Sequence, residues 1–178
     1  MVYVFLAEGF EETEAITPID LLRRAGADVV TVGVMGKTVK GSHGIPVISD
    51  ITIDEVEPEK AEMAVLPGGG IGTKNLAASS EVAEILRYCY DNNKLIGAIC
   101  AAPSVLGQLG FLKGRKAVCY PGFEEKLTGA QVLDVPAVTD GNIITARGAG
   151  AALEFSYELI KAFGKDADKI ADAIIHKR

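Results

Sequence analysis

The 178-residue chain is poor in the side chains that most often do chemistry near neutral pH: it has two histidines, His43 and His176, and three cysteines, Cys89, Cys100 and Cys119. The cysteines are odd in number, and their spacing fits neither a zinc site nor a Cys-x-x-Cys pair. With no secretory signal before them they read as reduced thiols in a cytoplasm, and no metal site is expected. No apolar run approaches the roughly 20 residues of a membrane span. The start, Met1-Val2-Tyr3-Val4-Phe5-Leu6-Ala7-Glu8, lacks the basic opening of a signal peptide. Basic clusters are missing too: 18 Lys+Arg stand against 24 Asp+Glu, a net charge of −6, which leaves no electrostatic footprint for nucleic acid. There are no internal repeats, low-complexity tracts or dividing linkers, so residues 1–178 read as one domain. What remains is ordinary for a compact globular protein, with 48% hydrophobic and 24% charged residues.

Apolar runs alternate with amphipathic ones. Val2 to Ala7 reads as a strand, Glu11 to Ala25 as a helix closed by Gly26, and Asp28 to Val34 as a second, parallel strand. Met35 to Asp54 suggests a small hairpin or a β excursion on the sheet's edge. Further strands are expected at Ala64 to Leu66, Leu95 to Ile99, Lys116 to Cys119 and Asn142 to Ala146. Helices are expected at Ser80 to Asn92, Ala101 to Leu109, Gly150 to Phe163 and Asp166 to His176, with Pro67 to Gly72 as a glycine-rich loop. This alternation predicts an α/β, doubly wound, mostly parallel sheet with helices on both faces. Ligands bind such sheets beyond the carboxyl ends of the strands, so candidate site residues follow them: Glu8 to Glu14, Pro67 to Gly72, Cys100 to Ala102, and also Tyr120 and Arg147 to Gly150.

Cys100 stands at a strand-to-helix junction among small neighbours, Ala98, Ala101 and Ala102, as a nucleophile does at a sharp elbow. The helix start favours its thiolate. The alternative is a buried small hydrophobe, the reading preferred for Cys89 and Cys119. Glu11, Glu12 and Glu14 suit a helix start through the dipole alone. Glu14 could instead reach back over the sheet edge and serve the sulfur as a protonated carboxyl. The Gly68-Gly69-Gly70-Ile71-Gly72 loop lacks a Walker ending and matches dinucleotide loops weakly. It is either a tight strand exit or, with the Ala101 N–H, an oxyanion hole. His176 reads as solvated surface, and His43, in a turn, either lies near the site or does not.

Several motifs together resemble the ThiJ/PfpI superfamily, in the branch of the Parkinson-associated protein deglycase. They are Leu6-Ala7-Glu8-Gly9-Phe10-Glu11-Glu12-Thr13-Glu14, Pro18 to Gly26, Leu66-Pro67-Gly68-Gly69, Ala98-Ile99-Cys100-Ala101 and Thr145 to Gly150, spread over nearly the whole chain. The resemblance implies a flavodoxin-like sandwich, Cys100 as elbow cysteine, Glu14 as a protonated carboxyl, and Gly69 and Ala101 N–H groups facing the substrate. It also implies a homodimer with the Arg24 region near its two-fold axis. The chain departs from the pattern in three places. Tyr120 stands where relatives often carry a histidine, so a Cys-His dyad is not available there. Ala101 replaces the histidine of the protease-like branch, which argues against proteolysis. His43 replaces a frequent arginine, and with Gly68 and Tyr120 it is expected to contact the substrate.

The function implied is glyoxalase-III-like or deglycase activity on methylglyoxal, a small reactive aldehyde, and its adducts, without a cofactor. The alternative is a stress protein that senses peroxide through oxidation of Cys100.

Overall fold

The structure, a computed structural model, describes residues 1–176. Its main sheet is built from β1 (Val2–Leu6), β2 (Val29–Gly33), β5 (Ile51–Thr52), β6 (Met63–Leu66), β7 (Leu95–Ile99), β10 (Ala137–Asp140) and β11 (Ile143–Ala146). They lie in the order β10-β11-β7-β6-β1-β2-β5, all parallel except β10, which pairs antiparallel with β11. Two short pairs stand apart: β3 (Thr38–Lys40) with β4 (Pro46–Ile48), the expected hairpin, and β8 (Lys116–Ala117) with β9 (Gln131–Val132). The helices are α1 (Glu12–Arg24), α2 (Gly70–Ala78), α3 (Ser80–Asp91), α4 (Pro103–Gln108), α5 (Ala152–Ala162) and α6 (Ala167–Ala173).

Side chains alternate across a strand, and β1 shows why this sheet must be covered on both sides. Val2, Val4 and Leu6 enter a core shared with α1, α5 and α6. Tyr3 and Phe5 enter the opposite core, formed with α2, α3 and α4. The chain crosses from β1 to β2 on one side and returns to place β6 on the other. The loops after β1 and β6 therefore part at their carboxyl ends and open a crevice, as at the switch point of other doubly wound sheets.

The doubly wound α/β expectation is met, and three local readings are corrected. Residues 70–78 form α2 instead of continuing the glycine-rich loop. β10 interposes a strand before β11, and the strand expected at Lys116 to Cys119 ends at Ala117. His176 is not free surface: its Nδ1 lies 2.8 Å from the Tyr157 hydroxyl and its ring stacks on that of Tyr157. No helix among the described residues is long and apolar enough to cross a membrane.

Candidate functional site

The crevice is occupied by one thiol and one carboxyl. Cys100, directly after β7, has φ +66°, a left-handed conformation that costs a non-glycine residue on the order of 1–3 kcal/mol. Two hydrogen bonds hold it there: its N–H donates to Ala146 O at 2.9 Å, and its carbonyl accepts from Tyr120 N–H at 2.8 Å. Neighbouring backbone thus clamps the elbow, and Sγ is presented between the ends of β6 and β7. The N–H groups of Gly69 and Ala101 both donate toward the sulfur.

Glu14 approaches from α1. Its side chain is buried, with 1% exposure, and is hydrogen-bonded to Cys100. Oε2 accepts from Gly68 N–H at 2.9 Å, and Ala149 N–H also donates to the carboxyl. Pro18, four residues on in α1, has no N–H to give the Glu14 carbonyl, so the helical ladder is interrupted at the residue that carries the acid. Gly68 is needed for the approach: a Cβ there would lie 2.5 Å from Glu14 Oε2 and 2.6 Å from Cys100 Cβ.

Burial raises Glu14 to about pH 7 and outweighs the hydrogen bonds from Cys100, Gly68 and Ala149, with the Glu11 charge adding to the rise. Burial likewise pushes the Cys100 thiol up, to about 12, helped by Glu14 and opposed by the Gly69 and Ala101 N–H groups. The N–H groups at the helix start do favour the thiolate, as expected, but burial and the Glu14 carboxylate outweigh them. The repulsion disappears once Glu14 carries a proton, since a neutral carboxyl donates to the sulfur instead. The thiol thus holds its proton more tightly than the acid does, and Glu14 is the group of the pair that titrates near neutrality.

The cavity above the pair has a volume of about 270 Å³, and Glu11, Gly69, Gly70, Ala101, Tyr120, Phe123 and Ala149 complete its wall. Through Tyr120 and Ala149 it adjoins a larger recess of about 460 Å³ that includes Arg147 and Glu154. Of the residues expected to contact substrate, Tyr120 lines the thiol cavity and is half-exposed. Gly68 is not in that wall; it lies behind the pair and binds Glu14. His43 is not in the wall either, because two carboxylates hold it aside. Its Nδ1 lies 3.0 Å from Glu12 Oε2 and 3.5 Å from Glu11 Oε2, with the side chain 71% exposed. Although burial opposes it, hydrogen bonds led by that from the His43 ring hold Glu12 down at about 2. These three residues have ligand atoms close enough to surround a cation, and the imidazole itself lies against both carboxylates.

Glu11 falls within the Glu8 to Glu14 segment expected at the site, whereas Phe123 was not singled out in the sequence. Phe123 arrives through the turn after Tyr120, a long-range placement that no local pattern marks. Cys89 and Cys119 are buried, as expected of packing residues, and burial pushes each thiol up to about 11.

Comparison with known proteins gives a consistent result. The model of the DJ-1/PfpI family matches residues 1–162. Protein DJ-1 homolog B of Arabidopsis thaliana is 37% identical over 91% of this chain, and the chain spans only 37% of that relative's length. Protein dj-1beta of Drosophila melanogaster is 40% identical over 88% of this chain and 85% of its own. The crystal structure of Drosophila DJ-1beta superposes with a TM-score of 0.94 at 36% identity, covering 99% of this chain and 98% of that one. A Pyrococcus horikoshii protein named as a deglycase is 32% identical over 87% of this chain and 94% of its own.

Proposed function

The chain belongs to the DJ-1/PfpI family, and on that footing we propose that it is a cysteine-dependent enzyme of glyoxalase III or deglycase type. Its substrates are methylglyoxal, related 2-oxoaldehydes or their adducts, and it uses no cofactor. The observation that carries the reading is the Cys100–Glu14 hydrogen bond in a crevice where Gly69 and Ala101 N–H groups point at the sulfur. The archaeal relatives named as deglycases support it.

The chemistry follows from those groups. The Glu14 carboxylate takes the proton of the Cys100 thiol as the sulfur attacks the aldehyde carbon, C1; as the S–C bond forms, the carbonyl pair moves onto oxygen, which the two N–H groups stabilise. Protonated Glu14 gives its proton to that oxygen, leaving a hemithioacetal. As carboxylate it then removes the hydrogen of C1 and returns a proton to C2, while the proton on the C1 oxygen passes to the C2 oxygen. C1 is thereby oxidised to a thioester and C2 reduced to an alcohol, with no outside oxidant. Water cleaves the thioester, releasing lactate and the thiol. An acid titrating near pH 7 suits both directions of proton transfer.

The test is lactate formation from methylglyoxal. We expect Cys100→Ser to abolish it and Glu14→Gln to lower turnover by roughly 10²–10⁴-fold; turnover in neither wild type nor variant, or equal turnover in both, overturns the reading. The same donors would also stabilise a sulfinate on Cys100, which favours peroxide sensing as the second reading. For that reading, mild peroxide should add two oxygens to Cys100 while sparing buried Cys89 and Cys119, and equal oxidation of all three counts against it. A cytoplasmic, homodimeric protein is part of the proposal. The exposed Met35, Ile45 and Ile48 around the β3–β4 hairpin and Ile16 on α1 offer apolar surface for a second copy.

A further inference from the structure

Beside the thiol cavity, and sharing Gly70 and Phe123 with it, lies a second cavity of about 420 Å³. The charge around it contrasts with the chain's overall acidity. Lys74 and Lys126 flank it, Thr73, Ser104, Gln108 and Thr128 supply hydroxyl or amide groups, and no carboxylate side chain lines it. Neither lysine is in an ion pair among the described residues. Lys126 Nζ sits 4.4 Å from the centroid of the ring of Phe123, a residue that lines both cavities.

An independent observation marks the same wall. Thr73 is 5% exposed, and its Oγ1 is the buried side-chain oxygen without a hydrogen-bond partner among the described residues. An orphaned buried hydroxyl is unusual and costs free energy unless a ligand satisfies it. It lies in the first turn of α2, where the helix dipole adds partial positive charge. Two ammonium groups, a hydroxyl donor and a helix start together complement a dianionic oxyanion. Without an arginine fork the site lacks the planar geometry that selects a carboxylate.

We propose that this cavity binds the phosphate group of a small phosphorylated carbonyl compound whose carbonyl reaches Cys100. Lys74 and Lys126 hold the phosphate, and Thr73, whose Oγ1 is enclosed in the free protein, turns its hydroxyl to it when the ligand seats. The carbonyl half of this statement rests on the enzymatic reading above; the anion half rests on the cavity alone.

The experiment uses the Cys100→Ser protein, so that nothing turns over, and measures binding by amide chemical-shift titration. The probes are glyceraldehyde 3-phosphate, unphosphorylated glyceraldehyde and inorganic phosphate, at constant ionic strength. We expect the phosphorylated aldehyde to bind roughly tenfold or more tighter than glyceraldehyde, from charge-assisted bonds to two lysines. It should shift both Thr73 and Ala101, and the preference should disappear in Lys74→Gln/Lys126→Gln and weaken in Thr73→Val. The lysines are exposed, so the double variant is expected to fold. Equal binding of the two aldehydes, a preference that survives the double variant, or inorganic phosphate binding as tightly as the phosphorylated aldehyde overturns the proposal. Methylglyoxal turnover by the wild type stands apart from these titrations: turnover without the phosphate preference sinks this inference alone, and the preference without turnover sinks only the enzymatic reading.

Discussion

Two neighbouring acids on α1 have opposite fates, and both are testable by pH. Glu12 is held down at about 2 by the His43 ring and nearby backbone N–H groups against the cost of burial, so its stabilisation is present above its ordinary 4.5 and lost as pH falls from there toward 2. Glu14 is raised to about 7, so the native state binds its proton more tightly than the unfolded chain does. Its sign is the reverse: stability is full below 4.5 and declines as pH rises through 7. The loss is on the order of 3 kcal/mol from a shift of this size. Urea melts of wild type should show that decline between pH 4.5 and 7.5, and Glu14→Gln should flatten it; a slope unchanged in the variant would assign it to other groups. At this scale the sequence was informative about residue type. An acid at a helix start and a thiol at a strand end were both visible, yet whether Glu14 turned inward could not be read, because Gly68 and Ala149, which receive it, lie 54 and 135 positions away.

Among the elements, α2 was one that the sequence hid. Gly70 and Gly72 lower helix propensity by about 1 kcal/mol each relative to alanine, and they disguised the helix as loop. The structure shows what they are for. A Cβ on Gly72 would lie 2.7 Å from Phe10 Cα and 2.8 Å from Phe10 N, both backbone atoms that cannot rotate away. Close docking of α2 on the loop after β1 also sets Gly69, its N-cap at φ +90°, beside the sulfur. Gly72→Ala therefore sets a propensity gain of about 1 kcal/mol against a backbone clash of about 1–3 kcal/mol. We expect net destabilisation, with lowered reactivity of Cys100 toward a thiol reagent. A variant as stable as wild type would show that α2 can retreat without cost. Strands β1, β2, β6 and β7 were legible because each is a continuous apolar run buried on both faces. β10, half-buried and close to β11, carried no such signal.

For the whole molecule, composition conveyed the class of fold but not the order of strands, which depends on pairings such as β11 with β7 across more than 40 residues. The crevice exists because of that order, so the site could be anticipated as a set of strand ends but not as one place. The apolar residues on the hairpin belong to this scale as well: Ile48 is 73% exposed and Ile45 56%, an arrangement that a second copy would bury. Sedimentation should give a dimer mass for wild type and a monomer mass for Ile48→Asp. A wild-type monomer would remove the hairpin from consideration as an interface.

The clamp on Cys100 also dates the site within the life of the chain. The Ala146 carbonyl that fixes the elbow and the Ala149 N–H that steadies Glu14 belong to the last fifth of the sequence to be synthesised. A ribosome that has released β7 has exposed the cysteine, but the strand that bends it and completes the cradle for its acid has not yet been made. The thiol thus spends synthesis as an ordinary cysteine, and its special chemistry begins only when β11 closes beside β7.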